Sequence, residues 1–176
     1  MNIPNILTVI RFILVPFFGY FMYTKSYKAA VALFIIAGAT DILDGYIARK
    51  YNLITPWGKV ADPLADKLMQ LTALLMLTIN DKMPPVVLIV VLAKEIFMVA
   101  GGILLYKKEN FVVSANWYGK AATVIFYLAI IMVISNLPYA NAVVLFAVIF
   151  TLFAFFMYSL TFRKIRIDFD SSDKGR

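Results

Sequence analysis

Residues 41–66 read DILDGYIARKYNLITPWGKVADPLAD and contain the pattern D-x2-D-G-x2-A-R-x8-G-x3-D-x3-D. Apolar runs flank this stretch on both sides, and Thr55-Pro56-Trp57-Gly58 interrupts it. Because proline and glycine mark helix boundaries, the stretch predicts two helices joined by a short turn. Charged groups inside apolar helices cost free energy, so the acidic residues of this stretch are the first candidates for a functional site.

The composition indicates that lipid is the solvent for most of the chain. Hydrophobic residues make up 62% of its 176 residues, which is more than one soluble core of this size can bury. The first apolar run lacks a basic leader region and a cleavage site, so we expect a retained span rather than a signal peptide. The chain has no cysteine and no histidine. Acid–base and metal chemistry therefore falls to carboxylates.

Six apolar segments are long enough to cross the hydrocarbon core of a bilayer. They cover residues 5–23, 28–49, 62–79, 84–106, 118–135 and 137–162. We therefore expect an all-α integral membrane protein with six transmembrane helices. One membrane domain would cover residues 1–167, and residues 168–176 would form a polar, mobile tail.

The basic residues predict the orientation of these helices. Most of the 17 lysines and arginines border the segment ends that share a side with the N-terminus, whereas Lys25, Lys28 and Lys82 fall on the other side. The positive-inside rule then places both termini in the cytoplasm. The net charge of +7 would attract anionic lipid headgroups. We do not expect nucleic-acid binding, because the basic residues border apolar spans instead of forming a separate soluble patch.

Four aspartates are predicted to form one pocket. Asp41 and Asp44 lie three residues apart on the second segment, and Asp62 and Asp66 lie four apart on the third, so each pair shares a helical face. The short link would let the two faces meet in the cytoplasmic third of the bilayer. Ionised carboxylates crowded in a low dielectric must bind cations or share protons. Oxygen ligands favour Mg²⁺, Mn²⁺ or Ca²⁺, and two such ions could also clamp a diphosphate.

Small residues lie beside these acids. Gly38, Gly45 and Ala48 remove side-chain bulk from the second segment, which leaves space for a ligand or for close helix packing. Arg49 follows one turn after Gly45 and could bind a phosphate through its planar fork.

Each part of the pattern also has a purely structural explanation. Asp62 precedes a proline and could be a helix N-cap. Asp44-Gly45 could form a turn, and Arg49-Lys50 could anchor the helix at the membrane surface. Asp41 is harder to explain in this way because it lies within an apolar run. The joint spacing is more specific than any of its parts.

The spacing resembles the signature of the CDP-alcohol phosphotransferase family, and every signature position is filled. The opening stretch from Asn2 to Thr8, followed by Arg11, is similar to the start of bacterial phosphatidylglycerophosphate synthases and CMP-forming cardiolipin synthases. The resemblance covers nearly the whole chain and is densest over residues 2–67. It implies a six-helix protein, usually a homodimer. We expect it in a bacterial cytoplasmic membrane, with its active site facing the cytoplasm.

The resemblance also implies an activity, which is transfer of a phosphatidyl group from CDP-diacylglycerol to an alcohol with release of CMP. Two divalent cations, Mg²⁺ or Mn²⁺, would be bound at the positions matching Asp41, Asp44, Asp62 and Asp66. In the family, the position matching Asp66 also serves as the base for the acceptor hydroxyl.

The same resemblance assigns nucleotide contacts. The cytidine nucleotide and its diphosphate would be bound at the positions matching Asp44, Gly45, Ala48, Arg49 and Gly58, with Arg49 at the diphosphate.

The acceptor alcohol is predicted from differences within the family. Phosphatidylglycerophosphate synthases typically have a further arginine where this chain has Gly102 and a further lysine where it has Ala122. Glycerol 3-phosphate carries a dianionic phosphate that needs several donors, so losing both cations should weaken its binding. Phosphatidylglycerol is therefore slightly favoured, which would make the product cardiolipin. Glycerol 3-phosphate is the alternative.

Candidate acceptor contacts are Asn5, Thr8, Arg11, Lys94, Glu95 and Lys120. Lys94 could instead neutralise the aspartates, and Arg11 and Lys120 could be anchors at the membrane surface. Adjacent helix positions point about 100° apart, so Lys94 and Glu95 are not expected to pair with each other.

A cation carrier is the alternative from another functional class, because buried acids also line cation pathways. The acids here cluster toward one face, and no second acidic layer continues to the other. Arg49 and Gly58 also favour a phosphate ligand over a cation pathway.

Overall fold

The computed structural model describes residues 2–109 and 117–173. Within these ranges the chain forms six α-helices, which confirms the all-helical class. They are α1 (Ile3–Tyr23), α2 (Tyr27–Lys50), α3 (Pro56–Ile79), α4 (Pro85–Glu109), α5 (Trp117–Ile134) and α6 (Ala140–Asp173).

Helix α3 begins six residues before its predicted start. Thr55 is the N-cap, and its hydroxyl oxygen accepts a hydrogen bond from the backbone N–H of Gly58 at 3.0 Å. Pro56 occupies the first helical position, where its missing N–H costs nothing. Pro63 lies inside the helix. The N-cap interpretation of Asp62 is therefore wrong, because Asp62 lies within α3 rather than at its start.

Helix α6 ends later than predicted. It continues to Asp173 and so includes the first residues of the predicted tail. Residues 174–176 lie outside the described residues, and the mobility of the tail stays a prediction.

Three stretches in the described part of the chain are long and apolar enough to cross a membrane. They are Ile3–Tyr23, Tyr27–Lys50 and the part of α6 from Ala140 to Leu160. Helix α3 carries Asp62, Asp66 and Lys67 in its first half, and the apolar part of α5 is shorter. Six spans and cytoplasmic termini stay predictions.

The chain divides into two compact units. The first contains the residues up to Leu88 together with Ile130–Ala140. In it, α1 packs against both α2 and α3, whereas α2 and α3 touch each other little. Phe18 of α1 and Phe34 of α2 are fully buried, with ring centroids 5.5 Å apart. Helix α1 thus lies between the two acid-bearing helices, whose acidic faces were predicted to meet directly.

The second unit contains Ile89–Ala129 and the chain from Asn141 onward. Its small buried cluster consists of Ala122 and Ala154, against which Phe150, Met157 and Tyr158 pack. A Cβ added at Gly119 would lie 3.1 Å from the hydroxyl oxygen of Tyr158. The absence of a side chain at Gly119 therefore allows α5 and α6 to approach closely.

Candidate active site

The side chain of Arg11 lies at the centre of the predicted acidic pocket and is 0% exposed. Its Nη2 atom lies 2.5 Å from Asp44 Oδ2 and 3.2 Å from Asp41 Oδ1. Its Nη1 atom donates to Asp66 Oδ1 at 2.9 Å. One guanidinium on α1 therefore joins acids from α2 and α3, and the structure brings these three predicted site residues together.

The fourth acid joins the same cluster through Thr8. The hydroxyl of Thr8, which is fully buried, donates a hydrogen bond to Asp62. Thr8 and Arg11 are three residues apart and share one face of α1. This face therefore contacts all four aspartates.

The start of α1 packs onto the start of α3. Thr55 donates from its hydroxyl to Asn5 Oδ1 at 3.0 Å while it caps α3. A Cβ added at Gly58 would lie 3.1 Å from Thr55 Oγ1, 3.2 Å from Asn5 Oδ1 and 3.6 Å from Asp62 Oδ2. A side chain at Gly58 would therefore crowd both the cap of α3 and Asn5 of α1. Asn5 and Gly58 thus border the acidic pocket.

The end of α2 carries the other predicted nucleotide contacts. Gly45 and Ala48 are half-buried, and Arg49 is exposed. A Cβ added at Gly45 would lie 3.6 Å from Arg49 Nη2, so the Arg49 guanidinium folds back over the glycine. Arg49 forms no ion pair within the described residues, which leaves its fork available to an anion.

The three acids held by Arg11 differ in exposure. The side chain of Asp44 is only 2% exposed, whereas those of Asp41 and Asp66 are 39% and 27% exposed. Asp41 and Asp66 therefore line the open side of the pocket and can meet a ligand. Asp44 lies behind them.

The charge of the pocket is not balanced. Four carboxylates face one guanidinium, and the Nε atom of Arg11 is buried without a hydrogen-bond partner in the described structure. Leaving a buried donor unpaired costs about 1–3 kcal/mol. The pocket can accept both further positive charge and a further hydrogen-bond acceptor.

The chemistry of the ligands fits a hard divalent cation, because all of them are carboxylate oxygens with excess negative charge. Among the described residues, however, no three acidic side chains are already arranged as a metal site. Arg11 lies between them instead. A metal ion shared by these acids would compete with Arg11 for the space between them.

The central position of Arg11 was not predicted. Its burial excludes the interpretation of this residue as an anchor at the membrane surface. The spacing of Thr8 and Arg11 on one helical face was the available signal, since a buried acidic cluster requires a counter-charge.

The remaining acceptor candidates lie in the second unit. The ammonium of Lys94 lies 2.6 Å from Glu95 Oε1, so the expectation that these neighbours do not pair is wrong. The four-carbon stem of lysine is long and flexible enough to reach the adjacent position. Lys120 is exposed on α5. A role of these three residues in acceptor binding stays a prediction.

Comparison with known proteins identifies the family. The family model for CDP-alcohol phosphatidyltransferases matches residues 1–153. The chain is 36% identical over 135 residues to the CDP-diacylglycerol–glycerol-3-phosphate 3-phosphatidyltransferase of Aquifex aeolicus, a match that covers 76% of this chain and 75% of that protein. The protein of the same name from Bacillus subtilis is 38% identical over 154 residues, which cover 78% of this chain and 79% of that protein.

A more distant match has a different name. The chain is 36% identical over 99 residues to a fusion protein of CMP-forming cardiolipin synthase and a mitochondrial hydrolase from Schizosaccharomyces pombe, and this match covers 56% of the chain and 17% of the fusion protein. The range matched by the family model contains the four clustered aspartates, Arg11, Arg49 and Gly58. This chain therefore belongs to the CDP-alcohol phosphatidyltransferase family.

Proposed function

We propose that this enzyme transfers the phosphatidyl group of CDP-diacylglycerol to glycerol 3-phosphate and releases CMP. The observation that carries the proposal is the convergence of Asp41, Asp44 and Asp66 on one buried cation, at 2.5–3.2 Å, within the family's signature stretch. The diphosphate of CDP-diacylglycerol is also negatively charged. An acidic pocket can therefore bind this substrate only when cations bind with it.

The proposed reaction is a displacement at phosphorus. The acceptor hydroxyl oxygen attacks the phosphorus that carries the diacylglycerol, the bond from that phosphorus to the CMP oxygen breaks, and Asp66 accepts the hydroxyl proton. Two Mg²⁺ or Mn²⁺ ions bound by the four aspartates would neutralise the diphosphate and the leaving CMP. Asp66 suits this role because it lies on the open side of the pocket. Arg49 offers its exposed fork to the diphosphate.

Glycerol 3-phosphate replaces phosphatidylglycerol, which the sequence predicts as the acceptor. The Aquifex aeolicus and Bacillus subtilis relatives are named for glycerol 3-phosphate, and their matches cover 76% and 78% of this chain. These matches support glycerol 3-phosphate over phosphatidylglycerol. Two cations typical of phosphatidylglycerophosphate synthases are missing at Gly102 and Ala122, but Lys94 and Lys120 remain as donors for a phosphate.

Phosphatidylglycerol is the second candidate acceptor. The match to the Schizosaccharomyces pombe fusion protein supports it, as does Ala122 in place of the lysine typical of phosphatidylglycerophosphate synthases. Its single phosphodiester charge needs fewer donors than the glycerol 3-phosphate dianion.

The acceptor can be determined with purified protein in detergent and radiolabelled CDP-diacylglycerol. We expect CMP release and labelled phosphatidylglycerophosphate with glycerol 3-phosphate, and neither product after EDTA treatment until Mg²⁺ is restored. Turnover with phosphatidylglycerol alone would assign cardiolipin synthesis instead. No CMP release with any acceptor, together with cation uptake into proteoliposomes, would favour a carrier.

The three long apolar helices and the bacterial relatives support an integral membrane protein. We propose a homodimer in the bacterial cytoplasmic membrane, with the pocket facing the cytoplasm. The orientation can be tested by labelling single cysteines, introduced into this cysteine-free chain, from either side of the membrane. The mass of the detergent-solubilised particle tests the homodimer.

A further inference from the structure

We propose that Arg11 is an internal competitor of the divalent cations. In the cation-free protein its guanidinium holds the aspartates together, and it releases them when they become metal ligands. This inference rests on the metal dependence proposed above, and it adds a role for a residue to which the proposed displacement assigns no step.

The geometry carries this inference. The two terminal nitrogens of Arg11 lie within 3.2 Å of carboxylate oxygens of Asp41, Asp44 and Asp66. These carboxylates are the groups that would bind a metal ion, and no three acids in the described residues are arranged as a metal site while Arg11 lies between them. A cation shared by these acids would therefore compete with Arg11 for the space between them and for their negative charge.

The balance of charge gives the direction of the exchange. One guanidinium offsets only one of the four carboxylates, whereas divalent ions offset more of their charge. Arg11 is thus a weak substitute that keeps like charges together until stronger cations arrive. Its contacts prevent the mutual repulsion of Asp41, Asp44 and Asp66 from separating α2 from α3.

Arg11 stays positively charged after it leaves the aspartates, because a guanidinium does not lose its proton in proteins. Once released, it needs another anion. The nearest open side of the pocket is the one lined by Asp41 and Asp66, where the substrate phosphates would bind. There the terminal nitrogens, and the Nε atom that now has no partner, could bind phosphate oxygens as a fork. Metal loading would then prepare Arg11 for the substrate.

A purely structural role predicts the opposite effect of substitution. If Arg11 only positioned the aspartates, Arg11→Gln would disorder the metal ligands and weaken metal binding. If Arg11 competes with the metal, removal of its charge strengthens metal binding while it destabilises the metal-free protein.

The test measures Mn²⁺ binding by the electron paramagnetic resonance signal of free Mn²⁺, together with thermal unfolding in EDTA and in Mn²⁺. The full-length protein in detergent is compared with Arg11→Gln, Arg11→Lys and Lys28→Gln. Lys28 is an exposed cation in the first turn of α2, about four turns before Asp44, so its variant matches the change in net charge.

We expect Arg11→Gln to bind Mn²⁺ several-fold more tightly than the unchanged protein. In EDTA it should also unfold at a lower temperature than the unchanged protein, and added Mn²⁺ should raise its unfolding temperature by more. Arg11→Lys keeps the charge but cannot bridge three carboxylates as a planar fork. Its affinity for Mn²⁺ should therefore lie between those of the unchanged protein and Arg11→Gln. Lys28→Gln should match the unchanged protein.

The possible failures are distinguishable. Absence of Mn²⁺ binding to the unchanged protein would contradict the proposed metal dependence itself. Normal binding there, with equal or weaker binding to Arg11→Gln, would overturn the competitor role alone. If Arg11→Gln does not fold without metal, purification in Mn²⁺ should restore it. The inference would also be overturned if Mn²⁺ does not restore Arg11→Gln and Arg11→Lys binds Mn²⁺ no more tightly than the unchanged protein.

Discussion

Thr8 and Asp62 are hydrogen-bonded to each other although they are 54 positions apart in the chain. Thr8 lies on α1 and Asp62 on α3, and the same face of α1 carries Arg11 one turn later. The bond orients an acid that Arg11 does not contact. Helix α1 is therefore part of the pocket, in addition to the two helices that carry the signature.

Replacement of Thr8 by valine tests this orientation. Valine keeps the shape of threonine but removes the donor, so Asp62 loses its buried partner. We expect Thr8→Val to lower kcat/KM for CMP release about tenfold, which corresponds to about 1.4 kcal/mol of lost transition-state stabilisation. Thr8→Ser, which keeps the hydroxyl, should retain most of the activity.

Thr24→Val is the matched control for that substitution. Thr24 is exposed at the end of α1 and bonds only to nearby groups within the described structure. Equal losses in Thr8→Val and Thr24→Val would show that the Thr8 hydroxyl has no special role at Asp62.

Gly58 and Gly19 provide a second matched pair. A Cβ at Gly58 would lie 3.1 Å from Thr55 Oγ1 and 3.2 Å from Oδ1 of Asn5 on α1, whereas one at Gly19 would lie 3.6 Å from Thr72 Cγ2, an ordinary contact. Gly19→Ala gains about 1 kcal/mol of helix propensity, and Gly58→Ala, in the first turn of α3, gains less. We expect Gly19→Ala to raise the melting temperature slightly and Gly58→Ala to lower it, because crowding of about 1–3 kcal/mol outweighs the gain. A melting temperature for Gly58→Ala at or above that of Gly19→Ala would contradict the close packing of α1 on α3.

The helices could be predicted because their signals are local. Apolar runs and turn residues placed α2 at residues 28–49, and the structure has it at Tyr27–Lys50. The start of α3 differs from the sequence prediction because Thr55-Pro56 is also typical of a break between two helices. The same two residues cap a helix when the threonine hydroxyl is free to accept from the third residue onward.

The pocket could be predicted only in part. The spacing of the aspartates placed them on facing sides of two helices, but it could not show that α1 lies between those helices. Arg11 finds Asp44 and Asp66 at sequence separations of 33 and 55 residues. The shared face of Thr8 and Arg11 indicates a counter-charge, but it does not indicate which acids Arg11 contacts, because that depends on how the helices pack.

Gly45 is expected to tolerate a small side chain but not a large one. A Cβ there would make an ordinary 3.6 Å contact with the Arg49 guanidinium, so Gly45→Ala should leave the KM for CDP-diacylglycerol nearly unchanged. Gly45→Leu adds three further carbons that must displace Arg49 or fill the space beside it. We expect its KM to rise at least tenfold, measured by CMP release. Equal KM values for the leucine and alanine variants would place the nucleotide elsewhere.

Asp66→Asn should separate chemistry from folding. The amide has the size of the carboxylate, and its carbonyl oxygen can still accept from Arg11 Nη1, which donates to Asp66 at 2.9 Å in the unchanged protein. The variant loses the group that accepts the acceptor's proton, so kcat should fall by about 10²- to 10⁴-fold, the usual contribution of a general base. The thermal unfolding temperature should change little, because removal of one charge also relieves repulsion among the aspartates.

Asp81→Asn is the control for Asp66→Asn. Asp81 is an exposed acid in the turn after α3, and asparagine also tolerates its positive φ of 55°. Near-normal CMP release by pure Asp66→Asn would remove Asp66 from the role of base.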